Sequence, residues 1–386
     1  MSHASANNKV SAAITTLHFV VDLLDVLIAI TTMASTNSIL VCLFFFLLTI
    51  FVEANAAHTF PRTTVINLPR DASRREHIIN ELSSQDIQFS WTEATYGANM
   101  TQPELSANAT ALARWFMTPG MIGCFLSHRR CWEQCVQSGK PLLVFEDDVV
   151  LAPNFRKIVT SAMNRCNKAD LVEKWDVLLV GALGCVHPDR KYGFNIIPAL
   201  VGGMKKWRSI IKLADLDNQC TTDESVPFVH VPLCPLGCHA YIISPRGASK
   251  LIDACLRASY HVDVVAWGLP DLDIVALHPL IAWQTHSDTT IGGLASTWKK
   301  VLPLWVPDPY TGFELGWALS APLLRIGGPF FGGKILLTNG NALGIAITGF
   351  VLAGIFRSVS LFGITLAFVA AVTALVRILA SKWNSS

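Results

Sequence analysis

Between residues 117 and 150 the hydrophobic pattern changes period, from helical to continuous. Ile122, Phe125, Leu126, Trp132, Cys135 and Val136 recur at helical spacing and predict one buried face of a helix. Thr118 suits the N-cap, and Pro119 the first helical position. Gly139 is placed to end the helix in a left-handed conformation. Leu142 to Phe145 then form an unbroken apolar run, as expected of a strand covered on both faces. Glu146, Asp147 and Asp148 come directly after it.

The remaining globular pattern runs from Pro61. Thr64 to Leu68 predicts a strand, followed by a turn and a helix with Ser73 and Glu76 spaced as a capping box. Ile78, Ile79 and Leu82 are its predicted buried face. Gln88 to Thr92 alternates as a half-buried strand does. Residues 97–113 are small and polar and predict a surface loop. Trp175 to Val180 predicts a buried strand ending at Gly181, and Cys238 to Ser244 another. Pro245 to Ala258 predicts a helix buried through Leu251, Ile252 and Cys255. Val262 to Trp267 and Leu280 to Gln284 are the last apolar segments of this part.

Both ends are apolar. Leu17 to Ile30 carries Asp22 and Asp25 and makes a poor span. Residues 38–52 form an uncharged 15-residue run, short of the ~20 a span needs. Ala54-Asn55-Ala56 behind it resembles a signal-peptidase site, and a start at Met33 would make the signal more ordinary. A signal peptide and a signal anchor both fit, and both place the globular part outside the cytosol. Residues 342–356 and 359–376 are uncharged and separated only by Arg357 and Ser358. A hairpin or a single span fits them. Arg377 and Lys382 favour a cytosolic C-terminus, which requires an odd number of crossings.

Composition agrees with membrane attachment: 51% of the 386 residues are hydrophobic. A net charge of +2 makes no case for a nucleic-acid partner. The ten cysteines show no CxxC pairs or Cys/His clusters of zinc-site spacing.

Three acids leaving a hydrophobic strand repel one another. A hard divalent cation, Mg2+ or Mn2+, relieves that repulsion through carboxylate oxygens and leaves positions for substrate phosphates. Ligands in open α/β sheets sit at the carboxyl ends of the strands, where these acids are. An acidic turn facing water is the plain alternative. Asp215/Asp217 and Asp271/Asp273 are rival pairs, but neither follows a clean buried strand.

Several ordered pieces resemble glycosyltransferase family 25, which includes lipooligosaccharide galactosyltransferases and the procollagen galactosyltransferase domain. They are Val65-Ile66-Asn67-Leu68 with Arg70 and Arg74; Thr118-Pro119-Gly120 with Ile122 to His128; Leu143 to Asp148; Trp175-Asp176; His239 to Ser244 with Gly247, Ala248 and Leu251; Val262-Asp263; and Ser287-Asp288. The resemblance spans roughly residues 62–292. Met121 departs from it, standing where family members often have Glu. The resemblance implies an α/β, GT-A-type Rossmann-like domain that binds a nucleotide sugar. The paired C-terminal apolar segments are not part of the family pattern; taken with the apolar ends, the resemblance divides the chain into a leader with a signal or anchor (1–60), a catalytic domain (61–310) and C-terminal membrane segments (311–386).

The resemblance also implies roles for particular residues, held here as expectations. Asp147 and Asp148 hold Mn2+ or Mg2+, with Glu146 as a third ligand or its support. Asn67, Arg70 and Arg74 meet the donor diphosphate, which forked guanidinium donors suit. Ser127, His128, His239 and Asp288 line the nucleotide-sugar site, and His128 is equally read as a structural hydrogen-bond partner. Asp263 is the candidate base for an inverting transfer, or else a helix cap. Asn99 and Asn108 head glycosylation sequons. The expected activity is transfer of a hexose, galactose first, from a UDP-sugar to a glycan or protein hydroxyl. The expected location is the endoplasmic reticulum or Golgi membrane, with the catalytic domain lumenal. A non-catalytic glycan-binding relative is the alternative.

Overall fold

The computed structural model describes residues 60–168, 175–186, 228–232, 234–284, 319, 321–326 and 335–380. All belong to one folded unit that begins at Phe60. Strand β1 (Arg62–Asn67) leads to helix α1 (Ala72–Ser84) and strand β2 (Ser90–Glu93). One 3-10 turn (Gly97–Asn99) and two short helices, α2 (Gln102–Asn108) and α3 (Ala111–Phe116), precede the long α4 (Pro119–Ser138). Next come β3 (Leu142–Glu146), β4 (Val149–Leu151), α5 (Phe155–Lys168) and β5 (Val177–Cys185). They are followed by β6 (Phe228–His230), β7 (Cys234–Ile243), α6 (Pro245–Ala254), α7 (Val262–Trp267), β8 (Ile274–His278) and β9 (Ala282–Gln284). A strand pair, β10 (Pro322–Ile326) with β11 (Ile335–Thr338), leads into two apolar helices, α8 (Asn339–Ile355) and α9 (Val359–Leu379).

The central sheet has seven strands in the order β2-β1-β3-β7-β5-β8-β6. β1, β2, β3, β5 and β8 run parallel; β7 and β6 run against them. β3 is covered on both sides, as its apolar run predicts. Leu142 and Val144 face one core with Phe125, Trp132, Tyr241 and Trp267. Leu143 and Phe145 face the other, with Ile78, Leu82, Phe155 and Val159.

Helix α4 keeps its predicted ends. The Thr118 hydroxyl accepts from the Met121 N–H, and Gly139 closes the helix at φ 63°. Burying Ile122 and Phe125 contributes roughly 1.5–3 kcal/mol each. That exceeds the roughly 0.7 kcal/mol per residue that helix propensity spans, so packing decides this helix.

Several expectations need correction. Ser73 and Glu76 make no capping box; Asp71 is the N-cap of α1 and has no side-chain cap bond. Ile79 and Val136 lie on the exposed sides of their helices, because each sits at the rim of its apolar stripe. Residues 97–113 are not a loop. Thr101 and Thr110 cap two short helices whose sparse stripe (Leu105, Ala109, Ala113) is too thin to stand out among polar neighbours. β5 continues through Gly181 to Cys185, and α6 stops at Ala254, four residues before the predicted end. The N-terminal run at 38–52 and the acids Asp215 and Asp217 lie outside the described residues.

The two C-terminal helices fold back on each other. Phe350 meets Phe362 at 5.4 Å between ring centroids, and Gly349 packs against Thr365. Arg357 turns the chain at φ 49°. The hairpin returns Arg377, in the last turn of α9, to the end of the domain from which α8 leaves. Among the described residues α9, with 21 residues, is the one helix long and apolar enough to cross a membrane.

The start of α4 makes a close backbone contact. A Cβ on Gly123 would stand 2.3 Å from the Thr95 carbonyl oxygen, so the backbone after β2 lies directly on the helix. Gly123→Ala is expected to cost about 1–3 kcal/mol by overpacking. Thermal unfolding reads this as a lower midpoint, and an unchanged midpoint would show that the loop yields freely.

Candidate functional site

β3 leaves the core at Glu146, and a two-residue turn, Asp147-Asp148, joins it to β4. Ile66 pairs with Glu146, so Asn67 ends β1 beside the turn. Asn67 Nδ2 donates to Asp147 Oδ2 at 2.8 Å. Arg74, in the first turn of α1, spans both aspartates: Nη1 meets Asp147 Oδ1 at 2.7 Å and Nη2 meets Asp148 Oδ2 at 2.8 Å. Pairing of β4 with β9 sets Gln284 against Val149. Its Nε2 donates to Glu146 Oε2 at 3.1 Å and reaches Asp148 Oδ1 at 3.5 Å. Asp147 is 5% exposed and Asp148 8%, so this is no solvated acidic turn.

A second chain of bonds holds Glu146 from below. Trp132 Nε1 and His128 Nδ1 both lie 3.1 Å from the Tyr241 hydroxyl, and His128 Nε2 lies 3.3 Å from Glu146 Oε1. The indole can only donate. The chain closes if the Tyr241 O–H donates to His128 Nδ1 and His128 Nε2–H donates to Glu146. Any other protonation of His128 leaves the buried Tyr241 proton without an acceptor, so this tautomer is assigned. Burial pushes the Tyr241 phenol well up, which keeps that proton in place.

Burial acts on each acid, and the neighbours decide the direction. It pushes Asp148 up to about 6, with the Glu146 charge adding to it and Arg74 opposing it. Asp147 also moves up through burial, against Arg74 and the Asn67 hydrogen bond. Burial works on Glu146 in the same sense, but the His128 hydrogen bond and the fields of His128, His239 and Arg74 carry it down. Burial alone would weaken the Arg74 cation; the charges of Asp148, Asp147, Glu146 and Asp71 raise its pKa instead.

Three carboxylates face one guanidinium. A divalent cation matches both the residual charge and the hard oxygen donors, so the residues fit Mg2+ or Mn2+. Cys124, His128 and Glu146 also offer ligand atoms within 4.8 Å of one another. That set fits less well. An ion on His128 Nε2 would evict its proton and strand the Tyr241 hydroxyl, and burial holds the Cys124 thiol protonated.

The other expected residues are placed as follows. Arg70 is half exposed; it stacks on the Tyr96 ring at 3.6 Å and pairs with Asp71 at 3.7 Å. Ser127 donates to the Gly123 carbonyl and accepts from the Thr95 N–H, so it clamps the loop after β2 and does not reach the carboxylates. His239 is buried. Its Nε2–H points at the Ala282 carbonyl at 3.4 Å, and its Nδ1 has no partner among the described residues. Asp263 Oδ2 accepts from the Gly237 N–H at 2.7 Å, and Oδ1 from the Val264 N–H at 2.9 Å. Asn99 is exposed, whereas the Asn108 amide donates to the Glu104 carbonyl and Thr110 is buried as a cap. Ser287 and Asp288 lie outside the described residues. Asp273, of the rival pair, serves the buried Asp176 with Arg246 and Lys250.

Gln284, Tyr241 and Trp132 were missed as site residues. Trp132 and Tyr241 read as core. Gln284 closes an apolar segment with nothing in its spacing to mark it. Their partners lie 109 to 138 residues away in sequence, beyond any local pattern.

A mixed α/β sheet with carboxylates at the carboxyl end of β3 is consistent with a Rossmann-like glycosyltransferase. Residues 60–192 match the model of glycosyltransferase family 25 (LPS biosynthesis protein). It is 30% identical over 191 residues to rat "Probable inactive glycosyltransferase 25 family member 3", covering 44% of this chain and 32% of the rat protein. It is 29% identical over 265 residues to human "Procollagen galactosyltransferase 2", covering 62% and 37%. A "Glycosyltransferase 25 family member" of Anopheles gambiae is 26% identical over 290 residues, covering 72% and 42%. The chain thus spans about a third of the length of the curated relatives it matches.

Metal affinity is expected to follow the Asp148 proton. An ion must displace that proton below about pH 6, so Mn2+ binding should weaken roughly tenfold per pH unit there. Folding stability responds in the opposite sense. The folded chain holds this proton to higher pH than the unfolded one, so this group's contribution falls as pH rises from about 4 to 6. Calorimetric Mn2+ titrations at pH 5, 6 and 7 read the first effect, and a flat affinity would remove Asp148 from the ligand set.

Proposed function

We propose that this chain is a membrane-attached, metal-dependent glycosyltransferase. It moves a hexose, galactose as first candidate, from a UDP-sugar to a hydroxyl of a glycan or protein, with inversion at the sugar centre. The observation that carries the reading is the buried carboxylate turn at the carboxyl edge of a family 25 domain. Asp147 and Asp148 hold Mn2+ or Mg2+, with Glu146 as third ligand or support. When bound, the ion supplies charge neutralisation on the leaving diphosphate. Asn67 orients Asp147, His128 orients Glu146, and Gln284 ties Glu146 to Asp148. Arg74 holds the two aspartates in register, and its forked donors would suit the donor diphosphate. Arg70 and Asp288 are further donor contacts in this reading.

Asp263 is assigned as the base that takes the acceptor hydroxyl's proton. Each of its oxygens accepts one backbone N–H and keeps a lone pair. The membrane in question is that of the endoplasmic reticulum or Golgi, with the domain lumenal. The apolar run at 38–52 and the exposed C-terminal hairpin support this placement.

A second reading is a non-catalytic relative. The Arg74 fork favours it, because an arginine already compensates both aspartates, and so does the similarity to a relative named inactive. UDP release by the full chain in detergent, with and without Mn2+, across UDP-galactose, UDP-glucose and UDP-N-acetylglucosamine, separates the two. Slow metal-dependent release is expected from one donor, and Asp147→Asn and Asp148→Asn should each abolish it without unfolding the protein. No release and no UDP binding by a folded sample would leave the non-catalytic reading standing. Once an acceptor is known, Asp263→Asn should lower transfer by about 100-fold or more while donor affinity holds. An unchanged transfer rate would reduce Asp263 to its bond with Gly237.

A further inference from the structure

The base of the C-terminal hairpin carries a cationic cleft that the transfer reaction does not use. Its volume is about 280 Å3, just below the roughly 300–1,000 Å3 range of drug-sized ligand sites. Arg114, Trp115, Met117, Met100, Gln102 and Arg325 line it. Arg325 comes from β10 and Arg114 from α3, and the Arg325 Nη2 donates to the Arg114 carbonyl. Arg114 Nη1 donates to the Ser106 hydroxyl at 2.7 Å. Neither guanidinium has a carboxylate partner among the described residues, and the Nε of each is buried without an acceptor there. Two adjacent guanidiniums with unused donors and no counterion among these residues are arranged to receive an anion, and the planar fork suits phosphate oxygens. Burial weakens the Arg325 cation, the direction that a bound anion would reverse.

The position of the cleft selects the source of the anion. β11 runs straight into α8, and the Asn339 N–H bonds the Ala321 carbonyl beside β10. Pro322 pairs with Thr338 at the helix cap, and Arg325 pairs with Leu336. Arg325 therefore lies three residues along β10, roughly 10 Å from the hairpin base at ~3.3 Å per residue. The headgroup layer is about 5–8 Å deep on each side of the hydrocarbon core. Beyond the base the hairpin is apolar and open, with Ile345, Ile347, Val351, Ile355, Val359 and Ile364 exposed. Trp115, 42% exposed at the cleft, has the amphipathic ring that settles at such an interface. Arg377, in the last turn of α9, returns to the same end.

We propose that the Arg114–Arg325 cleft binds the phosphate of an anionic lipid headgroup and so fixes the domain against the membrane surface. The proposal rests on the membrane attachment stated above. The test is flotation of the full chain with vesicles of phosphatidylcholine alone and of phosphatidylcholine with phosphatidylserine. The wild type should prefer the anionic vesicles. The Arg114→Gln/Arg325→Gln double variant should lose about thirtyfold of that preference, the effect of two basic residues near a charged surface. Its binding to neutral vesicles, set by the hairpin, should be unchanged. Arg114→Lys/Arg325→Lys should keep most of the preference, which separates lost charge from lost folding. An unchanged preference in the glutamine variant overturns the proposal. Competition by inorganic phosphate that depends on the two arginines, with no arginine effect on vesicles, would make the ligand a soluble anion and overturn it too. Failure to float with either vesicle would sink the membrane attachment itself, and the lipid site with it.

Discussion

Charge buried at the end of β3 is the constraint on which the rest of the site depends. Asp147 and Asp148 sit where the strand leaves a two-sided core, and both are almost fully withdrawn from water. Unpaired buried carboxylates would be expensive, so the surroundings are built as partners. Arg74 reaches both aspartates from α1, Asn67 caps the neighbouring strand, and Gln284 arrives on a distant strand to join Glu146 and Asp148. Each partner comes from a different element, so the site forms only when β1, β3 and β9 are in register.

Beneath it, the Trp132–Tyr241–His128–Glu146 chain links the sheet to α4. Every donor in that chain has one acceptor, and only one protonation pattern satisfies them all. His128 thereby becomes a positioning group for Glu146, which separates it from the metal-ligand role that its distance to Cys124 and Glu146 would also allow. The close approach of Gly123 to Thr95 serves the same end, because it seats α4 and the loop after β2 at a fixed height above the strand ends.

The C-terminal part obeys a different rule. Its helices bury little of their apolar surface, with Val359 85% exposed, which marks them as an interaction surface. Yet their base is tied to the domain. Tyr260 donates to the Leu323 carbonyl at 2.8 Å, and His261 lies 2.6 Å from the Pro322 carbonyl. The strand pair therefore joins a water-facing domain to an apolar hairpin, and the two arginines of the cleft stand at that junction.

Local spacing and capping chemistry were enough to specify α4 with both its caps, the two-sided β3 and the position of the acids. The amino-acid sequence also carried the resemblance to glycosyltransferase family 25, whose model matches residues 60–192 and so includes the pieces around residues 122–128 and 143–148. It was misleading at 97–113, where two helices too short and too sparsely apolar to show a period are held by Thr101 and Thr110. Tertiary packing alone sends Arg74 to the acids while Arg70 stacks on Tyr96, makes Ser127 a loop clamp, and brings Gln284 and Tyr241 to the site. It also folds the two C-terminal helices back on each other. Periodicity reports which face of an element is buried. Which charge meets which partner depends on strand register and helix placement across a hundred residues or more, and no local pattern encodes that.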